Sequence, residues 1–158
     1  MSERMFPTAQ DAENAFYEAL ERADLEGMMA VWAEDEDVIC VHPGGERLAG
    51  QDQIRESWTR IFASGPQGRV QIANQVAISG VMLAVHSVHE NFTLPGTKAG
   101  TPGAKPGTPG AGQPVPILAT NVYLRTAAGW KMIVHHASPI PSQQVQASAP
   151  ASGPKTLH

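Results

Sequence analysis

Five of the six histidines in this 158-residue chain, His42, His86, His89, His135 and His136, fall in segments patterned as β-strands. Imidazole is the side chain whose unperturbed pKa lies nearest neutrality, so histidines gathered on one surface make a proton-transfer site or a metal site. A metal needs three or so ligands on one side with open geometry, and the spacings here match no zinc motif. Proton transfer is then weighed against two blander roles: half-buried rings satisfied by backbone or water, and rings in an interface between copies. His158 lies in a tail rich in Pro, Ser and Ala that reads as disordered, and is set aside.

Strand alternation sorts these rings. In 80–94 one face carries Val81, Leu83, Val85, Ser87, His89, Asn91 and Thr93, and the other carries Met82, Ala84, His86, Val88, Glu90, Phe92 and Leu94. His86 and His89 therefore point to opposite sides. His135 and His136 are opposed in the same way unless a bulge intervenes, so a pocket recruits one of each pair. In the last strand Trp130, Met132, Val134 and His136 share a face, and in the strand before it Ile117, Ala119, Asn121, Tyr123 and Arg125 do.

The elements that position these residues follow from periodicity. From Thr8 to Ala23 the apolar residues Ala12, Ala15, Phe16, Ala19, Leu20 and Ala23 recur at helical steps, with Thr8 as N-cap and Asp11 in a capping-box position. A second helix is expected from Asp24 to Ala33, turning Leu25, Met28, Met29 and Trp32 inward, and a third from Gln51 to Ala63, stopped by Gly65-Pro66. Between them Val38 to Val41 reads as a strand ended by His42-Pro43-Gly44-Gly45. From Arg69 onward the chain predicts strands near 69–78, 80–94, 115–127 and 129–138, with tight turns at Ser79-Gly80 and Ala128-Gly129 that make neighbours antiparallel. The predicted class is α+β, with helices against a curved antiparallel sheet.

Length and 42% hydrophobic composition suit one domain over 1–140, with a Gly/Pro-rich insertion at 95–116 and a disordered tail over 141–158. A formal charge of -4 without a basic stripe argues against nucleic acid as partner. No apolar run is long enough to cross a bilayer and no signal peptide is evident, so a soluble, cytoplasmic protein without cofactor is expected. The one cysteine, Cys40, sits in an apolar run as a structural thiol.

Helix, helix, strand, Pro-Gly turn, helix and four antiparallel strands resemble the nuclear transport factor 2-like superfamily, and within it the SnoaL-like and ketosteroid isomerase-like proteins. The resemblance spans about residues 8–140 and is carried by 19–28, by Asp37 to Gly50 with its Gly44-Gly45-Glu46-Arg47-Leu48-Ala49-Gly50, and by Trp130 to Ser138. It implies a cystatin-like cone whose sheet wraps the helices, leaves an apolar pocket at its open end, and makes a homodimer with its outer face. In the isomerase-like branch an acidic base ends the first strand and a tyrosine on the first helix binds the substrate oxygen. On this chain the tyrosine position falls on Tyr17, allowing one gap, and His42 stands near the base position, without the carboxylate. Phe16, Trp32, Trp58 and Phe62 would line such a cone, joined from the strands by His89, Asn91, Asn121, Tyr123 and His136. Tyr17 reads equally as a helix aromatic bonded to a backbone carbonyl, and His42 as a ring that holds its turn. Two functions follow. One is a pocket for a small apolar ligand, with proton transfer or hydration at a carbonyl; the other is a non-enzymatic dimeric association or ligand-carrier module.

Overall fold

The computed structural model describes residues 4–34, 36–66, 68–93 and 115–141. The expected Gly/Pro-rich insertion and the expected disordered tail lie outside the described residues, apart from Val115 and Pro116, which open a strand, and Pro141.

Helix α1 (Ala9–Arg22) begins where the sequence places it: Thr8 and Asp11 close a reciprocal capping box, the Thr8 hydroxyl accepting from the Asp11 amide at 3.0 Å and the Asp11 carboxylate accepting from the Thr8 amide at 3.1 Å. The helix ends at Ala23 in a left-handed conformation, φ 53°. Its buried face carries Ala12, Phe16, Ala19 and Leu20, and with them the polar residues Glu13 and Tyr17. Helix α2 (Leu25–Val31) is capped by the Asp24 side chain, and α3 (Gln51–Phe62) buries Ile54, Trp58 and Phe62.

Among the described residues six strands form one curved, open sheet: β1 (Ile39–Val41), β2 (Arg47–Ala49), β3 (Arg69–Ser79), β4 (Leu83–Thr93), β5 (Val115–Thr126) and β6 (Gly129–Pro139), in the order β2-β1-β6-β5-β4-β3. The late strands pair antiparallel as expected, and one pairing makes the sheet mixed. β1 runs parallel to β6, with Cys40 opposite His135, because the long excursion through α3 and the later strands returns the chain beside β1 in its own direction. The short strand β2, which periodicity does not show, pairs with β1 through the Pro43-Gly44 turn. β4 begins at Leu83 rather than 80, since Gly80 to Met82 form the turn closed by the Gly80 amide on the Leu83 carbonyl at 2.8 Å.

Two register shifts interrupt the sheet, one between Ala73 and Val76 on β3 and one opposite Val122 and Tyr123, where β6 holds an extra residue. The second corrects the expected face of the last strand. Trp130, Met132, Val134 and His136 do not stay together: past the bulge His135 and Ala137 turn inward and are buried, and His136 is exposed. The N-terminal segment closes the far end, where Phe6 bridges to Gly129; that glycine's φ of +92° and the Phe6 carbonyl 2.7 Å from a would-be Cβ leave no room for a side chain. Among the described residues no helix is long and apolar enough to cross a membrane.

Candidate functional site

The face of the sheet that meets α1 brings seven polar side chains into the core: Glu13, Tyr17, His86, Glu90, Asn121, Tyr123 and His135. Local geometry explains each. Glu13 and Tyr17 are four residues apart, one turn up the same helical face. His86 and Glu90 alternate with Val88 along the inward face of β4, and Asn121 and Tyr123 do the same on β5. His135 arrives through the β6 bulge. The β3 bulge, with Asn74 at φ 50°, puts Gln75 rather than Asn74 on the helix side.

Their hydrogen bonds form one connected chain. Tyr17 Oη donates to Glu90 Oε2 at 2.6 Å and accepts from Asn121 Nδ2 at 2.9 Å. Asn121 Oδ1 meets His135 Nδ1 at 2.6 Å. Glu13 Oε2 accepts from Tyr123 Oη at 2.8 Å and from Asn121 Nδ2 at 3.3 Å, and it pairs with His86 Nδ1 at 2.9 Å. Gln75 Nε2 donates to Glu13 Oε1 at 2.7 Å. Four donors on one carboxylate are what an acceptor-only group needs when taken out of water.

Burial sets the protonation states. Glu90 is pushed up to about 7 by burial, against the lowering effect of the Tyr17 hydrogen bond and with a further push from Glu13. Both of its forms are populated near neutrality. Burial, then Glu90, hold the Tyr17 phenol well above its ordinary value, so it acts as a neutral hydroxyl, and burial does the same to Tyr123. His135 is lowered to about 3 by burial, then by His42 and His136, and is a neutral ring at physiological pH. Burial alone lowers His42, and it raises the Cys40 thiol to about 12.

An open groove of about 540 Å³ runs between α1 and β3 above this cluster. Glu13, Tyr17 and Gln75 form its floor, Val70, Ile72 and Ala73 one wall, and Gln10, Asn14, Glu18 and Glu21 the other. Ile72 is the cross-strand partner of Glu90, so that carboxyl lies directly under the groove.

The residues singled out from sequence are thereby dispersed. Tyr17 lies at the groove floor, and Asn121 and Tyr123 belong to the cluster below it. Phe16, Trp58 and Phe62 stack in series, at 5.8 and 5.3 Å between ring centroids, and Trp32 is fully buried beside β6. His42 is not bonded to Tyr17; its Nε2 meets Ser57 Oγ at 2.7 Å and its ring stands edge-on to Trp58 at 4.8 Å. His89 and Asn91 alternate with the buried Val88 and Glu90 and so project from the opposite face, as does the exposed His136. Of the two histidine pairs the structure brings in His86 and His135, where His89 and His136 were expected; Glu13, Glu90 and Gln75 were not singled out. Two signals pointed to them: a glutamate on the apolar face of α1, and His86 and Glu90 sharing a strand face with Ala84 and Val88. Among the described residues no group of three or more His, Cys, Asp or Glu side chains is arranged to hold a metal ion.

Comparison with known proteins follows this geometry. The SnoaL-like domain model matches residues 10–143. A solved structure from Thiobacillus denitrificans, provisionally described as a calcium/calmodulin-dependent protein kinase type II association domain, is 36% identical, with a TM-score of 0.70 over 88% of this chain and 100% of that one. A provisionally described dehydratase of the NTF2-like family from Streptomyces avermitilis is 29% identical, with a TM-score of 0.65 over 83% of this chain and 93% of that one. A provisionally described ketosteroid isomerase from Parabacteroides distasonis shares the fold at 18% identity, with a TM-score of 0.65 over 90% and 99% of the two chains. No curated protein matches. Its helices, its mixed curved sheet and a family match over most of its length show that the chain belongs to the SnoaL-like domain family, with the NTF2-like, cystatin-like fold.

Proposed function

We propose that the protein binds a small carbonyl compound in the groove between α1 and β3 and exchanges protons with it. The observation that carries this is Tyr17, a residue that lines the groove and whose hydroxyl donates to the buried Glu90 carboxyl at 2.6 Å. A ligand with an apolar edge would lie along Val70, Ile72 and Ala73 and place its oxygen at Tyr17. Enolisation then balances as follows. Glu13, whose Oε1 accepts from Gln75 alone among the described residues, takes the hydrogen next to the carbonyl. When Glu90 is protonated it donates to the Tyr17 oxygen instead of accepting from it, which frees the Tyr17 hydrogen for the carbonyl oxygen; Tyr17 gives that hydrogen up and Glu90 replaces it, leaving an enol, a protonated Glu13 and an ionised Glu90. Positioned acids and bases of this kind typically contribute about 10²–10⁴-fold. His42, on Ser57 and outside this bond chain, is left to shape the aromatic wall.

The test is hydrogen–deuterium exchange. A panel of cyclic ketones small enough for the groove is incubated with the protein in D₂O, and loss of the α-hydrogen signals is followed by proton NMR. Exchange that disappears in Glu90→Gln and drops about 10²-fold or more in Tyr17→Phe is expected. No exchange and no retention of any ketone across the panel would sink the proposal.

A second reading has its own observation. On the outer face Ile78, Val85, Val122 and Val134 stand in one cross-strand row, flanked by Leu83 and Leu118 at 45% and 39% exposure. Such a row fits association with a second copy. Light scattering at micromolar concentration distinguishes it: a dimer that Ile78→Glu dissociates supports the association module, and a wild-type monomer removes it.

A further inference from the structure

We propose that His135 is the positioning residue of this site: its Nδ1–H fixes the Asn121 amide so that Nδ2 faces Tyr17 and Glu13, which commits the Tyr17 hydroxyl hydrogen to Glu90.

A neutral imidazole bonded through Nδ1 to an amide oxygen must carry its hydrogen on Nδ1, because an oxygen donates nothing. His135 is buried and neutral, and its Nδ1 lies 2.6 Å from Asn121 Oδ1. With Oδ1 engaged, Asn121 turns its Nδ2 to the Tyr17 hydroxyl at 2.9 Å and to Glu13 Oε2 at 3.3 Å. The Tyr17 oxygen that accepts from Asn121 needs an acceptor for its own hydrogen, and while Glu90 is ionised and the groove is empty that acceptor is Glu90 Oε2 at 2.6 Å. Reversing the amide would offer Tyr17 an acceptor instead, and the hydroxyl hydrogen would no longer be held on Glu90. Glu13 favours the same amide orientation, over its longer contact. The charged and titratable groups around this chain are Glu13 and Tyr17 on α1, Cys40 and His42 at β1, His86 and Glu90 on β4, Tyr123 on β5 and His136 on β6.

The bulge in β6 is what makes the arrangement available. An unbroken strand would carry Met132, Val134 and His136 inward and leave His135 outside; the extra residue opposite Val122 and Tyr123 exchanges them. The register between β1 and β6 then sets His135 beside the buried Cys40, and Phe16 covers the ring at 4.8 Å.

The proposal rests on Tyr17 and Glu90 as the proton-exchanging pair, but its test needs no ligand and so fails or succeeds separately. In wild-type protein labelled with ¹⁵N-histidine, His135 is expected as the Nδ1–H tautomer, unchanged from pH 5 to 9; an Nε2–H tautomer overturns the proposal. In ¹³C-glutamate-labelled protein, His135→Leu is expected to raise the Glu90 midpoint by about half a pH unit or more, because the Tyr17 bond that favours ionised Glu90 is weakened. His135→Gln, whose amide can donate to Asn121, restores it. A Glu90 midpoint that stays at the wild-type value in a folded His135→Leu protein, or that moves equally in both variants, contradicts the positioning role.

Discussion

At the scale of single residues, the site is defined by two carboxyl groups kept apart by their partners. Glu13 is surrounded by donors from α1's neighbours in the sheet, while among the described residues Glu90 receives one, from Tyr17. Burial and the neighbouring Glu13 charge both push Glu90 toward its protonated form. Glu13→Gln places an amide where four donors converge, and is expected to destabilise the fold by about 3 kcal/mol in urea titrations, since removing one member of a buried pair strands the others. Tyr17→Phe deletes one hydroxyl and leaves both Glu90 and the Asn121 amide short of a partner; a loss of about 1–3 kcal/mol is expected by the same measurement. A loss smaller in Glu13→Gln than in Tyr17→Phe would contradict the assignment of Glu13 as the hub.

At the scale of elements, the two bulges decide what reaches the pocket. Asn74 holds the β3 bulge at φ 50°, a conformation that asparagine and glycine adopt readily and β-branched residues do not. Asn74→Gly is therefore expected to be nearly neutral and Asn74→Val to cost about 1–2 kcal/mol in denaturation, displacing Gln75 from Glu13. The same bulges mark where the sequence stops being legible. The helices, the capping box at Thr8 and the run of late strands follow from periodicity and capping chemistry, while Tyr17 was named only through the family resemblance, at the position of a first-helix tyrosine. Period-two reading put Asn121 and Tyr123 together correctly because β5 alternates without interruption from Ile117 to Tyr123. It failed for His135 and His136 because one extra residue in β6 reverses the phase, and a bulge leaves no sure mark in composition. The parallel pairing of β1 with β6 is equally hidden, being set by a return path of more than ninety residues rather than by local chemistry. Glu13 and Glu90 were visible as charges on apolar faces; only the fold shows that each answers the other.

At the scale of the whole molecule, the cluster writes two opposed pH dependences into stability. Glu90 has a raised affinity for its proton in the folded state, about 7 against 4.5, so its contribution is complete below pH 4.5 and is lost as pH rises toward 7. His135 is depressed to about 3 from 6.5, so its contribution is present above pH 6.5 and is lost as pH falls toward 3. Between pH 4.5 and 6.5 the two slopes offset one another. Glu90→Gln removes the falling slope, and its stability relative to wild type is expected to rise by about 2 kcal/mol across that window, read from urea midpoints at three pH values. A difference that stays constant with pH would mean that Glu90 titrates alike in the folded and unfolded chains. The most direct measurement is the titration of Glu90 itself, by ¹³C NMR of glutamate-labelled protein, in wild type and in Tyr17→Phe. A Glu90 midpoint near 7 that moves upward when the Tyr17 hydroxyl is removed is the predicted result. A midpoint near 4.5, indifferent to Tyr17, would contradict a proton-exchange site under the groove.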